Sequence, residues 1–100
     1  MHEKDILKKW FDENEMFITG EQIDKLLSHV ELVREASTRM NLISKNDLPK
    51  IIERHLLDSL HVLTVYPFPS GVSVADLGSG AGFPGVPIAI VRPDVNLALV

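Results

Sequence analysis

Asp76-Leu77-Gly78-Ser79-Gly80-Ala81-Gly82-Phe83-Pro84-Gly85 decides the fold class of this 100-residue chain. The run before it, Val72 to Leu77, is short, apolar and closed by glycine, which predicts a buried strand. After it, Gly85 to Arg92 reads as a short helix stopped by Pro93, and Asn96 to Val100 as the start of a second strand. Strand, helix and strand at this spacing predict a right-handed parallel unit. A parallel sheet is normally covered on both faces and has more than two strands. The expectation is therefore the N-terminal part of a larger α/β domain. Exposed Val and Leu on the unpaired strand edges predict poor solubility.

The glycines are where a ligand would sit, because open α/β sheets bind ligands at the carboxyl ends of their strands. Three glycines at alternate positions exceed what a plain turn requires. A phosphate loop of the Walker type needs Lys-Ser/Thr after its last glycine, and Gly85 is followed by Val86-Pro87. A dinucleotide fingerprint is literally present as Gly80-x-Gly82-x-x-Gly85. Pyrophosphate, however, is held by free N–H groups at a helix start, and Pro84 and Pro87 each remove one. Asp76 also brings a carboxylate close to where the phosphates would lie. S-adenosylmethionine carries no phosphate but two cations, a sulfonium and an ammonium, which suit that carboxylate. Acidic-x-Gly-x-Gly-x-Gly from Asp76 is the usual first motif of Rossmann-like methyltransferases. NAD or FAD in an oxidoreductase remains the alternative, as does a non-catalytic truncated product that binds RNA or a partner through its helices.

Upstream the chain changes character near residue 66. Nine of the ten Lys+Arg and twelve of the fourteen Asp+Glu fall in residues 1–66, while residues 67–100 hold five of six prolines and five of six glycines. Ile6, Leu7, Trp10 and Phe11 recur at helical spacing and predict a first helix over about residues 3–15, its aromatic pair packed in the core rather than stacked on bases. Thr19 and Gln22 form a capping box for a second helix over about residues 20–38, with Ile23, Leu26, Leu27, Val30 and Val33 on one face. Pro49 suits the first turn of a third, with Ile52, Leu56, Leu60 and Leu63 aligned and Pro67 and Pro69 ending it. On that helix Arg54 and Asp58 stand at i,i+4 and can pair.

The formal net charge of −4 excludes a surface that grips phosphates by charge alone. Lys4, Lys8 and Lys9 are diluted by Asp5, Asp12 and Glu13, and read as a solvated helix face before an RNA-facing patch. Zero cysteines exclude disulfides, a thiolate nucleophile and Cys-bound zinc. His2, His29, His55 and His61 lack metal-ligand spacing, so no metal is expected. No stretch reaches the ~18 apolar residues of a membrane span, and the charged N-terminus is not a signal peptide. The default expectation is a cytoplasmic protein with no membrane partner.

Arg54-His55-Leu56-Leu57-Asp58-Ser59-Leu60 followed by the glycine stretch resembles the bacterial small-subunit ribosomal RNA N7-guanine methyltransferase family, called RsmG or GidB. Asn41-Leu42, the Gly85–Ile90 segment and Val91-Arg92-Pro93 fit the same family, so the resemblance runs from about Ile18 to Val100. It implies N-terminal helices, residues 1–66, followed by the start of a Rossmann-like S-adenosylmethionine-dependent methyltransferase sheet, residues 67–100. It implies methyl transfer from S-adenosylmethionine to a guanine N7 of 16S rRNA, with the small ribosomal subunit as partner. By matching positions, Gly78 and Phe83 would contact the cofactor, and Asp76, Gly80 and Gly82 would shape the same turn. Arg54, His55 and Asp58 would line the cleft or face RNA. Guanine N7 has a free lone pair and no proton, so the transfer needs positioning and no general base. No catalytic residue is assigned.

Overall fold

A computed structural model describes residues 2–77 and 80–100. Gly78 of the expected cofactor site and its neighbour Ser79 lie outside the described residues. The rest is an α/β arrangement of four α-helices and a two-stranded parallel sheet. Helix α1 spans Glu3–Glu13 and α2 spans Gly20–Ser37. A 3₁₀ turn, Leu48–Lys50, and a π-helical turn, Ile52–Leu57, lead into α3, Asp58–Val65. Strand β1, Ser73–Asp76, then α4, Gly85–Val91, and β2, Asn96–Leu99, complete the chain.

Local chemistry sets most boundaries. Thr19 Oγ1 accepts the Gln22 amide at 3.1 Å, and Gln22 Oε1 accepts the Thr19 amide at 2.9 Å. Two N–H groups left open by the helix start are thereby satisfied. The other end of the Gln22 amide group donates to the Ile90 carbonyl at 3.1 Å, tying α2 to the last turn of α4. Helix α1 ends two residues before the expected limit. Glu15 takes a left-handed φ of 54°, and the Met16 amide donates back to the Phe11 carbonyl at 2.9 Å. This is a Schellman closure with glutamate where glycine is preferred.

The third helix is not a plain α-helix. Its first half winds as 3₁₀ and then π before Asp58. Buried Ser59 donates its hydroxyl to the His55 carbonyl, a back-bond that competes with the regular backbone ladder. The apolar face still holds, with Ile52, Leu56 and Leu60 buried and Leu63 packed at the edge.

One helical core carries the molecule. Leu7 and Phe11 of α1 meet Ile23, Leu26, Val30 and Val33 of α2 and Ile51, Leu56 and Leu60 of the third helical segment. Val91 of α4 enters the same cluster. Burial of each such side chain stabilises by roughly 1.5–3 kcal/mol. Trp10 packs edge-on to Phe11, 5.0 Å between ring centroids.

Helix α4 packs on α2 and α3 and also on β2, so it lies between the helical core and the sheet. Strands β1 and β2 run parallel, with Ser73 opposite Asn96 and Asp76 opposite Leu99. The expectation of a buried strand is corrected here. Ser73 and Ala75 are exposed, and Val74 and Asp76 are half-buried. In β2 only Leu97 is half-buried, while Asn96, Ala98 and Leu99 are exposed. A strand becomes fully buried when both sheet faces are covered. Among the described residues α4 is the helix packed closely on this sheet, through β2.

Candidate functional site

The turn leaving β1 is held from three sides. Asp76, the last residue of β1, turns its carboxylate onto the start of α4, where Oδ2 accepts the Gly85 amide at 2.9 Å. A Cβ at Gly85 would stand 2.5 Å from that oxygen and 2.8 Å from Leu99 Cδ2, so strand and helix approach too closely for any side chain there. Gly82 is required on two grounds. Its φ is +84°, and a Cβ would meet His29 Nε2 and Val86 Cγ2 at 2.9 Å each. Gly80 is different: a Cβ there would touch only Leu42 Cδ2, at 3.9 Å.

The amides at the start of α4 are all spent. Gly85 N–H goes to Asp76, Val86 N–H to the Gly82 carbonyl at 2.8 Å, and Ile88 N–H to the Pro84 carbonyl at 3.3 Å. Pro84 and Pro87 have none to give. This turn therefore presents a carboxylate and no helix-start donor.

Phe83 is half-buried between two imidazoles, its centroid 4.8 Å from that of His29 and 5.6 Å from that of His55. With Arg54, His55, Asp58, Ser59 and Pro84 it lines a shallow cavity of about 230 Å³. The three polar residues singled out on the third helix are thus brought to one side of Phe83. The expected Arg54–Asp58 pair does not form. Arg54 Nη1 instead lies 3.6 Å from Asp47 Oδ1, and His55 Nε2 lies 3.5 Å from Asp47 Oδ2. The loop before the helix folds back and supplies a nearer carboxylate.

Two site residues escape a local reading of the sequence. Asp47 stands in a loop, and only the tertiary fold brings it to His55. His29 stands three residues after Leu26 and four before Val33, on the buried face of α2, and its polarity there was the available signal. Its Nε2 meets the Ala81 carbonyl at 2.9 Å. Burial pushes its pKa below the ordinary 6.5, with the bond to Ala81 pulling the other way.

Among the described residues no cluster of three or more His, Asp or Glu side chains could hold a metal ion, and no helix is long and apolar enough to cross a membrane. Lys4 sits 3.3 Å from Asp24, while Lys8 and Lys9 are exposed.

A parallel strand–helix–strand unit, with a glycine turn at the carboxyl end of its first strand and a carboxylate closing it, defines an α/β protein whose turn lies where open α/β sheets take their ligands. The chain belongs to the GidB family, rRNA small subunit methyltransferase G, whose profile matches residues 22–100. It is similar to the Ribosomal RNA small subunit methyltransferase G of Nitrosomonas europaea, 43% identical over 82 residues, which make up 82% of this chain and 37% of that relative. It is also similar to the proteins of that name from Christiangramia forsetii, 35% identical over 96% of this chain and 44% of the relative, and Bacteroides fragilis, 38% identical over 95% and 44%. The chain spans about two fifths of the length of these curated relatives.

Proposed function

We propose that this chain is the cofactor-side part of an S-adenosylmethionine-dependent enzyme that methylates guanine N7 in small-subunit ribosomal RNA. The observation that carries the cofactor class is the spent helix start. Pyrophosphate needs free amides there, and every amide from Gly85 to Ile88 is bonded or missing. A carboxylate occupies the place instead, which favours a ligand bearing positive charge. Family membership supports the reaction and the substrate.

The unit from β1 to β2 is read as the opening of a Rossmann-like sheet, with residues 1–66 as an N-terminal helical segment and 67–100 as the incomplete first unit of the methyltransferase domain. Cofactor contacts are assigned to Asp76, Gly78, Gly80, Gly82 and Phe83. Gly80 is informative because the fold leaves room for a side chain there. Its lack of one is explained by a ligand approaching the backbone. Arg54, His55 and Asp58 are assigned to the cleft beside Phe83, on the RNA side. The protein is placed in the cytoplasm, with the small ribosomal subunit as partner.

When bound, S-adenosylmethionine supplies an electrophilic methyl group on sulfur. The residues of this chain have a positioning task. The Asp76 carboxylate would hold the cationic half of the cofactor while anchoring the helix, and Phe83 would wall the cavity toward the third helix. The N7 lone pair needs no base.

The test is methyl transfer by the full-length protein from labelled S-adenosylmethionine to small ribosomal subunits lacking the modification, followed by nucleoside analysis. Label in 7-methylguanosine is the expected result. Label in another nucleoside, or none, overturns the reading.

A further inference from the structure

Helix α2 reaches the glycine turn through one side chain. His29 Nε2 lies 2.9 Å from the Ala81 carbonyl, across 52 residues of sequence. A carbonyl only accepts, so Nε2 carries the proton. The other ring nitrogen, Nδ1, is buried and has no hydrogen-bond partner among the described residues. A second proton on Nδ1 would be a buried donor without an acceptor. The same ring tilts against Phe83 and abuts Gly82, so it touches three consecutive residues of the turn.

The Ala81–Gly82 peptide is not among the cis bonds, so its C=O and N–H point in opposite directions. With the carbonyl held by His29, the Gly82 N–H points away from α2. We propose that His29 is a positioning residue of the cofactor turn, fixing the Ala81–Gly82 peptide through a neutral imidazole that donates from Nε2. The inference rests on the reading of this turn as the S-adenosylmethionine site. Affinity for the cofactor then depends on a hydrogen-bond donor at position 29, and it falls as the ring takes up a second proton.

Few charged groups face the ring. One turn away on α2 lies Lys25, 3.5 Å from Glu21. Helix α4 has no charged residue. Asp76 is engaged by Gly85, and His55 sits beyond Phe83. Burial and the Ala81 bond are the causes acting on its titration.

The test compares His29→Gln, which keeps length and donor, with His29→Met, which keeps length and removes the donor. The readout is calorimetric titration of each chain and the parent with S-adenosylhomocysteine at about pH 8 and about pH 5, the lower value set well under the ordinary histidine 6.5 because burial lowers that of His29. At the higher pH the Gln chain is expected to bind within about threefold of the parent, and the Met chain about tenfold more weakly. The parent should weaken at the lower pH and the Gln chain should not. This second comparison holds even where the Met chain fails to fold. Equal binding by Met and Gln chains, or an undiminished pH effect in the Gln chain, overturns the role of His29 and leaves the cofactor site standing. No binding by the parent removes the site itself, and the inference with it.

Discussion

Asp76 Oδ2 and the Gly85 amide are 2.9 Å apart, and this contact ties the end of β1 to the first residue of α4. There is no room beside it, since a Gly85 Cβ would lie 2.5 Å from the same oxygen. Gly85→Ala must push strand and helix apart, at a cost of about 1–3 kcal/mol. Asp76→Ala leaves the amide unpartnered in a half-buried setting, for about 1–3 kcal/mol. Thermal unfolding followed by circular dichroism measures both. Unchanged melting in either variant contradicts the clasp.

Gly80 and Gly82 should separate fold from ligand. Gly82→Ala is expected to destabilise by about 1–3 kcal/mol, because the left-handed backbone and the His29 contact both oppose a side chain. Gly80→Ala should stay within about 0.5 kcal/mol of the parent. Gly80→Val should also fold, yet lose binding of S-adenosylhomocysteine. Melting curves beside titrations decide this, and unchanged affinity in the Val chain refutes the assignment of Gly80.

Glu15 is a natural site for stabilisation. Its φ of 54° strains a residue with a Cβ, and the Schellman closure around it suits glycine. Glu15→Gly is predicted to add ~0.5–1 kcal/mol, the relief of strain less the entropy of a more flexible unfolded chain. Urea denaturation should show a higher midpoint at an unchanged slope.

The pair between Glu3 of α1 and Arg34 of α2 gives an acid-side signature. Hydrogen bonds from Arg34 hold the Glu3 carboxyl below its ordinary 4.5. A carboxyl lowered in the folded state stabilises fully above its unfolded value, and that contribution is lost as pH falls from 4.5 through the lowered value. Both side chains are partly solvated, so the effect is at most ~1 kcal/mol. Glu3→Gln should lower stability at neutral pH by that amount and flatten this part of the acid limb. An identical acid limb in both chains contradicts the pairing.

Local signals in the sequence carried furthest. Thr19 and Gln22 specify α2 because both partners of the cap lie within one turn. The stripe Ile23, Leu26, Val30 and Val33 is buried as its spacing requires. Asp76 and its glycines announced the close strand-to-helix turn through residue types alone, and Gly82 and Gly85 leave no room there for a side chain. What stayed hidden was tertiary. Asp47 displaced Asp58 as the partner of Arg54 because a loop folded back, and no spacing rule reports that. The π turn before Asp58 depends on backbone choices that an apolar stripe does not distinguish. The strands looked buried because Val, Leu and Ala make the same pattern whether one face is covered or two.

Titration calorimetry of this chain with S-adenosylhomocysteine, with NAD in parallel, tests the central claim most directly. Saturable heat with S-adenosylhomocysteine and none with NAD is the expected result, because the start of α4 offers pyrophosphate no amide and Asp76 brings a carboxylate there. Saturable binding of NAD, or a folded chain that takes up neither ligand, would contradict it.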